Sequence, residues 1–122
     1  MAYSILVVDE HPVSVARIVH PLAKAGYHVT GATTFEDAKE LLTADPPNLL
    51  LTASRLGRFN GLHLVVRGRL DHPGMAAIVT ADHKDPVLEA EAETFGASCV
   101  VAPETSAELL SVVQRTFASR PM

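Results

Sequence analysis

A chain of 122 residues, 48% hydrophobic and 20% charged, has the length and composition of one globular domain spanning residues 1–122. Its 10 Lys plus Arg against 14 Asp plus Glu give a net charge of −4, which argues against nucleic acid or an anionic membrane as partner. The single cysteine, Cys99, excludes an internal disulfide, and the opening "MAYSILVVDE" is too short and too acidic for a signal peptide.

No apolar run approaches the roughly 18 residues of a membrane helix, so a cytoplasmic protein is expected. Strands are expected at Tyr3–Val8, Tyr27–Ala32, Asn48–Ala53, Ala76–Ala81 and Ser98–Ala102. These runs are continuously apolar rather than alternating, the pattern of parallel strands covered on both faces.

Five helical patterns alternate with them. The first runs from about Pro12 to Ala25, with Val15, Ile18, Val19 and Leu22 on one stripe and Gly26 as its stop; Pro21 should kink it. The second starts at Thr34, a capping residue, buries Ala38, Leu41 and Leu42, and ends at "DPP". The third covers about Asn60 to Leu70 and buries Leu62, Val65 and Val66. Asp85 caps the fourth, Pro86 sits in its first turn, Leu88, Ala92 and Phe95 form its stripe, and Gly96 stops it. "TSAE" at 105–108 predicts a capping box for the last helix, which packs Leu110, Val113 and Phe117. The closing "SRPM" reads as a frayed end.

In such a sheet, ligands bind beyond the carboxyl ends of the strands. Those ends carry Asp9-Glu10-His11, Ala53-Ser54-Arg55, Thr80-Ala81-Asp82 and Ala102-Pro103. There is no GxGxxG, no GxxxxGK[ST] and no GxSxG, so the usual nucleotide loops and the hydrolase elbow are absent. No histidine pair has zinc spacing. Asp9 and Glu10 have two readings: ligands for a hard cation such as Mg²⁺, or an acidic loop favoured by the following helix N-terminus.

Taken together, the pieces resemble the receiver domain of bacterial two-component response regulators. "ILVVDEHP" at 5–12 is similar to the family's first strand with its acidic pair, here Asp9 and Glu10. "AGYHVTGATTFEDAKELL" at 25–42 resembles its second strand and helix. "AAIVTA" at 76–81 resembles the fourth strand, with Thr80 at the switch hydroxyl. "GASCVVAP" at 96–103 resembles the fifth strand, with Pro103 as the cis-proline candidate. The resemblance implies a flavodoxin-like (βα)5 fold: a five-stranded parallel sheet in the order 2-1-3-4-5 with helices on both faces.

Two positions depart from the family pattern. Its phosphoacceptor aspartate closes the third strand, where this chain has Ala53. Its phosphoryl-contacting lysine precedes the proline of the fifth strand, where this chain has Ala102. A receiver works when a carboxylate attacks a phosphoryl group while Mg²⁺ balances charge and a lysine and a hydroxyl hold the product. Without the acceptor, the expectation is a non-enzymatic, phosphorylation-independent pseudo-receiver that signals through protein contacts, with Mg²⁺ binding at Asp9 and Glu10 weak or absent. The alternative is a working phosphoreceiver that uses a non-standard acceptor such as Thr52, Ser54 or Asp9, or Mg²⁺-dependent switching. Loss of acid and lysine together leaves Asp9 and Glu10 summing to −2, the same sum as the family's three acids and one lysine.

Surfaces are then expected to carry the function. Residues 55–69 hold four arginines and no acid, while residues 82–93 sum to −4. Either these are solvated helix faces, or they dock a partner. Glu89 and Glu93, four apart on the fourth helix, suit an electropositive protein partner, and the corresponding family face also makes homodimers.

Overall fold

The computed structural model describes residues 2–119, so most of the "SRPM" end lies outside the described residues. Five long strands form one parallel sheet: β1 (Ser4–Val8), β2 (His28–Ala32), β3 (Leu49–Ala53), β6 (Ala76–Ala81) and β7 (Ser98–Val101), in the order β2-β1-β3-β6-β7. Counting only these five, the order is the expected 2-1-3-4-5. Two short strands, β4 (Arg55–Leu56) and β5 (Phe59–Asn60), pair antiparallel as a small hairpin. The helices are α1 (Pro12–Lys24), α2 (Phe35–Ala44), α3 (Leu62–Asp71), α4 (Pro86–Thr94) and α5 (Ser106–Ala118).

The strands alternate their side chains between two cores. Leu6, Val8, Leu50, Ala77 and Val79 point to the face covered by α2, α3 and α4, where Ala38, Leu42, Leu64, Val65 and Ala92 pack. Ile5, Val7, Leu49, Leu51 and Ile78 point to the other face, under α1 and α5, against Leu22, Leu109 and Val113. Each large aliphatic side chain fully buried in this way contributes about 1.5–3 kcal/mol. The two edge strands are only partly covered, which explains why β2 and β7 carry Thr30, Gly31, Ser98 and Cys99 among their apolar residues.

Local signals place the helix ends. The hydroxyls of Thr34 and Thr105 and the carboxylate of Asp85 accept from the N–H groups of Asp37, Glu108 and Leu88, each at 3.1 Å. Gly26 and Gly96 take φ +103° and +80°, the left-handed stop a glycine adopts without a Cβ penalty. α1 runs on through Pro21 to Lys24, and the Pro21 carbonyl accepts from Ala25 N–H at 3.0 Å.

Several expectations need correction. The hairpin replaces an expected loop: Gly57, at φ +62°, makes a two-residue turn possible. In α3 Leu62 and Val65 are buried as expected, but Leu64 is buried with them while Val66 is only half-buried, and the helix starts at Leu62, after the hairpin. Phe95 ends α4 at 43% exposure instead of joining the core. The Thr105–Glu108 capping box is half formed, since Glu108 Oε2 accepts from Glu104 N–H at 3.2 Å. In α5 Leu110, Val113 and Phe117 pack as expected, with Leu109 also buried beside them.

Candidate functional site

At the carboxyl end of the sheet, a cavity of about 290 Å³ opens between the strand ends, α1 and the start of α5. Asp9, Glu10, Ala53, Thr80, Ala102 and Pro103 all line it, so topology brings together six positions scattered over the sequence. Ala53 and Thr80 are direct neighbours across β3 and β6, and Thr80 faces Val100 on β7. Ser54 N–H donates to the Thr80 carbonyl, and Ala102 N–H to the Ala81 carbonyl, both at 2.9 Å. The ladder therefore continues past the strand ends and fixes both small residues in place.

The neighbours of Ala53 differ in access. Thr52 is fully buried on the opposite sheet face, and its hydroxyl donates to the Ala53 carbonyl at 3.0 Å. It does not reach the cavity, as strand alternation requires. Ser54 is half-buried and lines the cavity.

The acid pair is already engaged. Asp9 Oδ1 accepts from His11 N–H at 2.9 Å, holding the turn into α1. Glu10 Oε2 accepts from Gly57 N–H at 2.8 Å and tethers the hairpin tip to the first strand end. His11 Nε2 lies 3.6 Å from Glu10 Oε1. Among the described residues no group of three His, Cys, Asp or Glu side chains is arranged to hold a metal ion. Two carboxylates that both accept backbone N–H groups, with a methyl at Ala53 in place of a third, do not fit a Mg²⁺ centre.

The strand ends already showed two further charges of this mouth, Arg55 and Asp82, and sequence reasoning missed two more, Arg17 and Glu104. Arg17, Arg55, Asp82 and Glu104 also line the cavity. The formal sum stays at −2, but six charged side chains produce it instead of two. Arg17 and Glu104 lie outside the strand ends, on α1 and ahead of α5, so no strand-end rule would have found them. Pro103 also differs from expectation: no peptide bond among the described residues is cis. The trans form of an X–Pro bond is favoured by about 0.5–1 kcal/mol, and the Ala102 ladder bond is made without departing from it.

Glu89 and Glu93 lie apart from this cavity, on α4. Glu89 is half-buried with Oε1 3.9 Å from Lys84 Nζ, and Glu93 is exposed. On the same helix Val87 is 69% exposed, and on β7 Val101 is 49% exposed. Cys99, half-buried on neighbouring β7, has its thiol pKa raised, first by burial and then by the charges of Glu89 and Asp85. The arginine-rich stretch is less free than its composition implies. Arg69 donates to the Met75 carbonyl and lies over Gly96, where an added Cβ would sit 3.0 Å from its Nε. Arg58 sits 5.9 Å above the Phe59 ring.

The family model for the response regulator receiver domain matches residues 5–114. Among solved structures, the chain is similar to a CheY-like response regulator receiver domain protein from Methanospirillum hungatei. The TM-score is 0.90 at 21% identity, covering 98% of this chain and 97% of that one. It is also similar to the chemotaxis response regulator CheY4 of Vibrio cholerae, with TM-score 0.86 and 21% identity over 95% and 99% of the two chains. NtrX from Brucella abortus, solved in complex with ATP, gives TM-score 0.88 at 23% identity over 98% of this chain and 28% of its own. No curated protein matches the sequence.

Proposed function

The chain belongs to the response regulator receiver domain family, and from that membership we propose that it is a phosphorylation-independent receiver, a non-enzymatic protein-interaction module in a two-component or related pathway. One observation carries this reading: Ala53 closes β3 beside Thr80 and turns a methyl, not a carboxylate, toward the strand-end cavity. A methyl offers no oxygen to attack phosphorus, so no acyl phosphate forms there. Ala102 at the end of β7 reinforces it, since no ammonium reaches the cavity from that position to hold a phosphoryl oxygen.

The output surface in this reading is the α4 and β7 face, where Val87 and Val101 stand exposed beside Glu89 and Glu93. Exposed apolar residues and acids on two neighbouring elements suit a partner that presents apolar residues together with Lys or Arg. A second copy of this chain is one candidate partner, and a cytoplasmic setting follows from the same reading. No helix among the described residues is long and apolar enough to cross a membrane.

The test is incubation with acetyl phosphate and Mg²⁺, followed by intact-mass measurement. The expected result is an unmodified mass, and stoichiometric phosphorylation would overturn the proposal. Ser54, half-buried at the cavity, supports the one competing reading, a receiver with a displaced acceptor. A label mapped to Ser54 and lost in Ser54→Ala would establish that reading instead.

A further inference from the structure

The sheet ends on one side at β2, which pairs with β1 alone. His28 N–H donates to the Tyr3 carbonyl at 2.9 Å, and the Ala32 carbonyl accepts from Asp9 N–H at 3.2 Å. Backbone groups alternate in direction along a strand, so His28, Thr30 and Ala32 turn theirs to β1. The N–H and C=O of Val29 and Gly31 therefore point out of the sheet, and nothing among the described residues pairs with them.

An open strand edge invites pairing with another chain, and Lys, Pro or a bulge normally blunts it. β2 has none of these: it reads "HVTGA", and its register with β1 is unbroken over all five residues. Gly31 is exposed, and a Cβ there would fall 2.5 Å from Val15 Cγ1. α1 closes on the strand at that point and leaves the edge backbone without a side chain to shield it.

A groove open to solvent follows this edge and has two unlike walls. On one sheet face α1 supplies half-buried Val15 and Val19 with exposed Ala16; on the other, α2 supplies exposed Asp37 and Glu40. Neither carboxylate has a hydrogen-bond or ion-pair partner among the described residues, and no Lys, Arg or His lines the groove. A strand laid along β2 alternates its side chains between these walls, so it fits best with apolar residues toward α1 and basic ones toward α2.

A second copy of this chain does not meet that requirement. A closed dimer through one edge is two-fold symmetric. The axis sets identical residues level, whereas parallel strands bond through residues offset by one, so the pairing has to be antiparallel. That arrangement keeps α2 of both copies on one sheet face and brings Asp37 and Glu40 toward their own counterparts.

We propose that the β2 edge docks an extended segment of a partner protein, alternating apolar residues with Lys or Arg, by strand addition. The surface lies at the opposite end of the sheet from β7, leaves the α4 face free, and does not depend on the chemistry at Ala53.

The probes are capped seven-residue peptides alternating valine with lysine or valine with glutamate, titrated into labelled protein and read by amide NMR and hydrogen exchange. The lysine peptide should shift the Val29 and Gly31 amides saturably and slow their exchange about tenfold or more. The glutamate peptide should bind about tenfold more weakly, and Asp37→Asn with Glu40→Gln should erase that difference. N-methylation of the lysine peptide at one alternate set of amides should abolish binding and at the other set leave it, because only one set faces β2. Unmoved Val29 and Gly31 amides overturn the proposal, as do equal binding of the lysine and glutamate peptides, a preference that survives in the doubly neutralised variant, or equal behaviour of the two N-methylated forms. Exchange at Val29 and Gly31 that slows with protein concentration alone assigns the edge to a second copy and overturns it as well.

Discussion

Replacing the Ala53 methyl by a carboxylate puts a third acid beside Asp9 and Glu10. Ala53→Asp should lower stability by about 1 kcal/mol in the absence of divalent ions, because like charges within one mouth repel. Millimolar Mg²⁺ should restore that loss in the variant and leave the parent unchanged, as read by thermal unfolding with and without the ion. Cys99 gives the pH-dependent prediction. Its folded pKa lies above the ordinary 9.0, so the folded state keeps the thiol proton where the unfolded chain releases it. The stabilisation is complete below the ordinary thiol pKa and is lost as pH rises through the raised folded value. Thiol alkylation should accordingly be slow at pH 8 and faster in Glu89→Gln, and an unchanged rate would show that the acid is not felt at the sulfur. Ala53 and Ala102 were visible in the sequence because a known pattern marks their positions. Nothing local marked Arg17 or Glu104 as their companions, since each lies on a different segment away from the strand ends.

Among the elements, the β4–β5 hairpin is the one the sequence did not announce. Its two pairs are too short to show a period, and Gly57 and Gly61 read equally well as loop residues. Tertiary contacts build it. The Glu10 carboxylate holds Gly57 N–H, the Phe35 and Phe59 rings stack 4.5 Å apart, and Gly61 lies so close to β3 that an added Cβ would fall 2.1 Å from the Ala53 carbonyl oxygen. Gly61→Ala should therefore cost about 1–3 kcal/mol in chemical denaturation, since backbone must move to admit it. Glu10→Ala should leave global stability within about 1 kcal/mol while raising hydrogen exchange at Gly57, the mark of a released tether. The helices were more legible because their caps are local: Thr34, Asp85 and Thr105 each reach an amide three residues ahead. Thr105→Ala should cost about 1 kcal/mol.

For the molecule as a whole, stability rests on the two cores beneath the helices, away from the exposed side chains of α4. Val87→Ser with Phe95→Ser should change unfolding free energy by no more than about 0.5 kcal/mol each, since both side chains are already exposed. The same pair should abolish capture of a partner that docks on α4, and a retained complex would move the output face elsewhere. The alternation of apolar strands with amphipathic helices determined a parallel sheet covered on both faces, because period and capping act within a few residues. Strand bounds agree with expectation to within one residue. The charge balance and the two alanines, Ala53 and Ala102, were likewise fixed by the chain alone. Only the tertiary structure decided that Asp9 and Glu10 each accept a backbone N–H and that Thr52 is walled off while Ser54 is not. It also decided that Ala53 and Ala102 line one cavity together with residues of α1 and α5. Those outcomes depend on distances between residues up to about a hundred positions apart, which loop closure and packing set and no local pattern encodes.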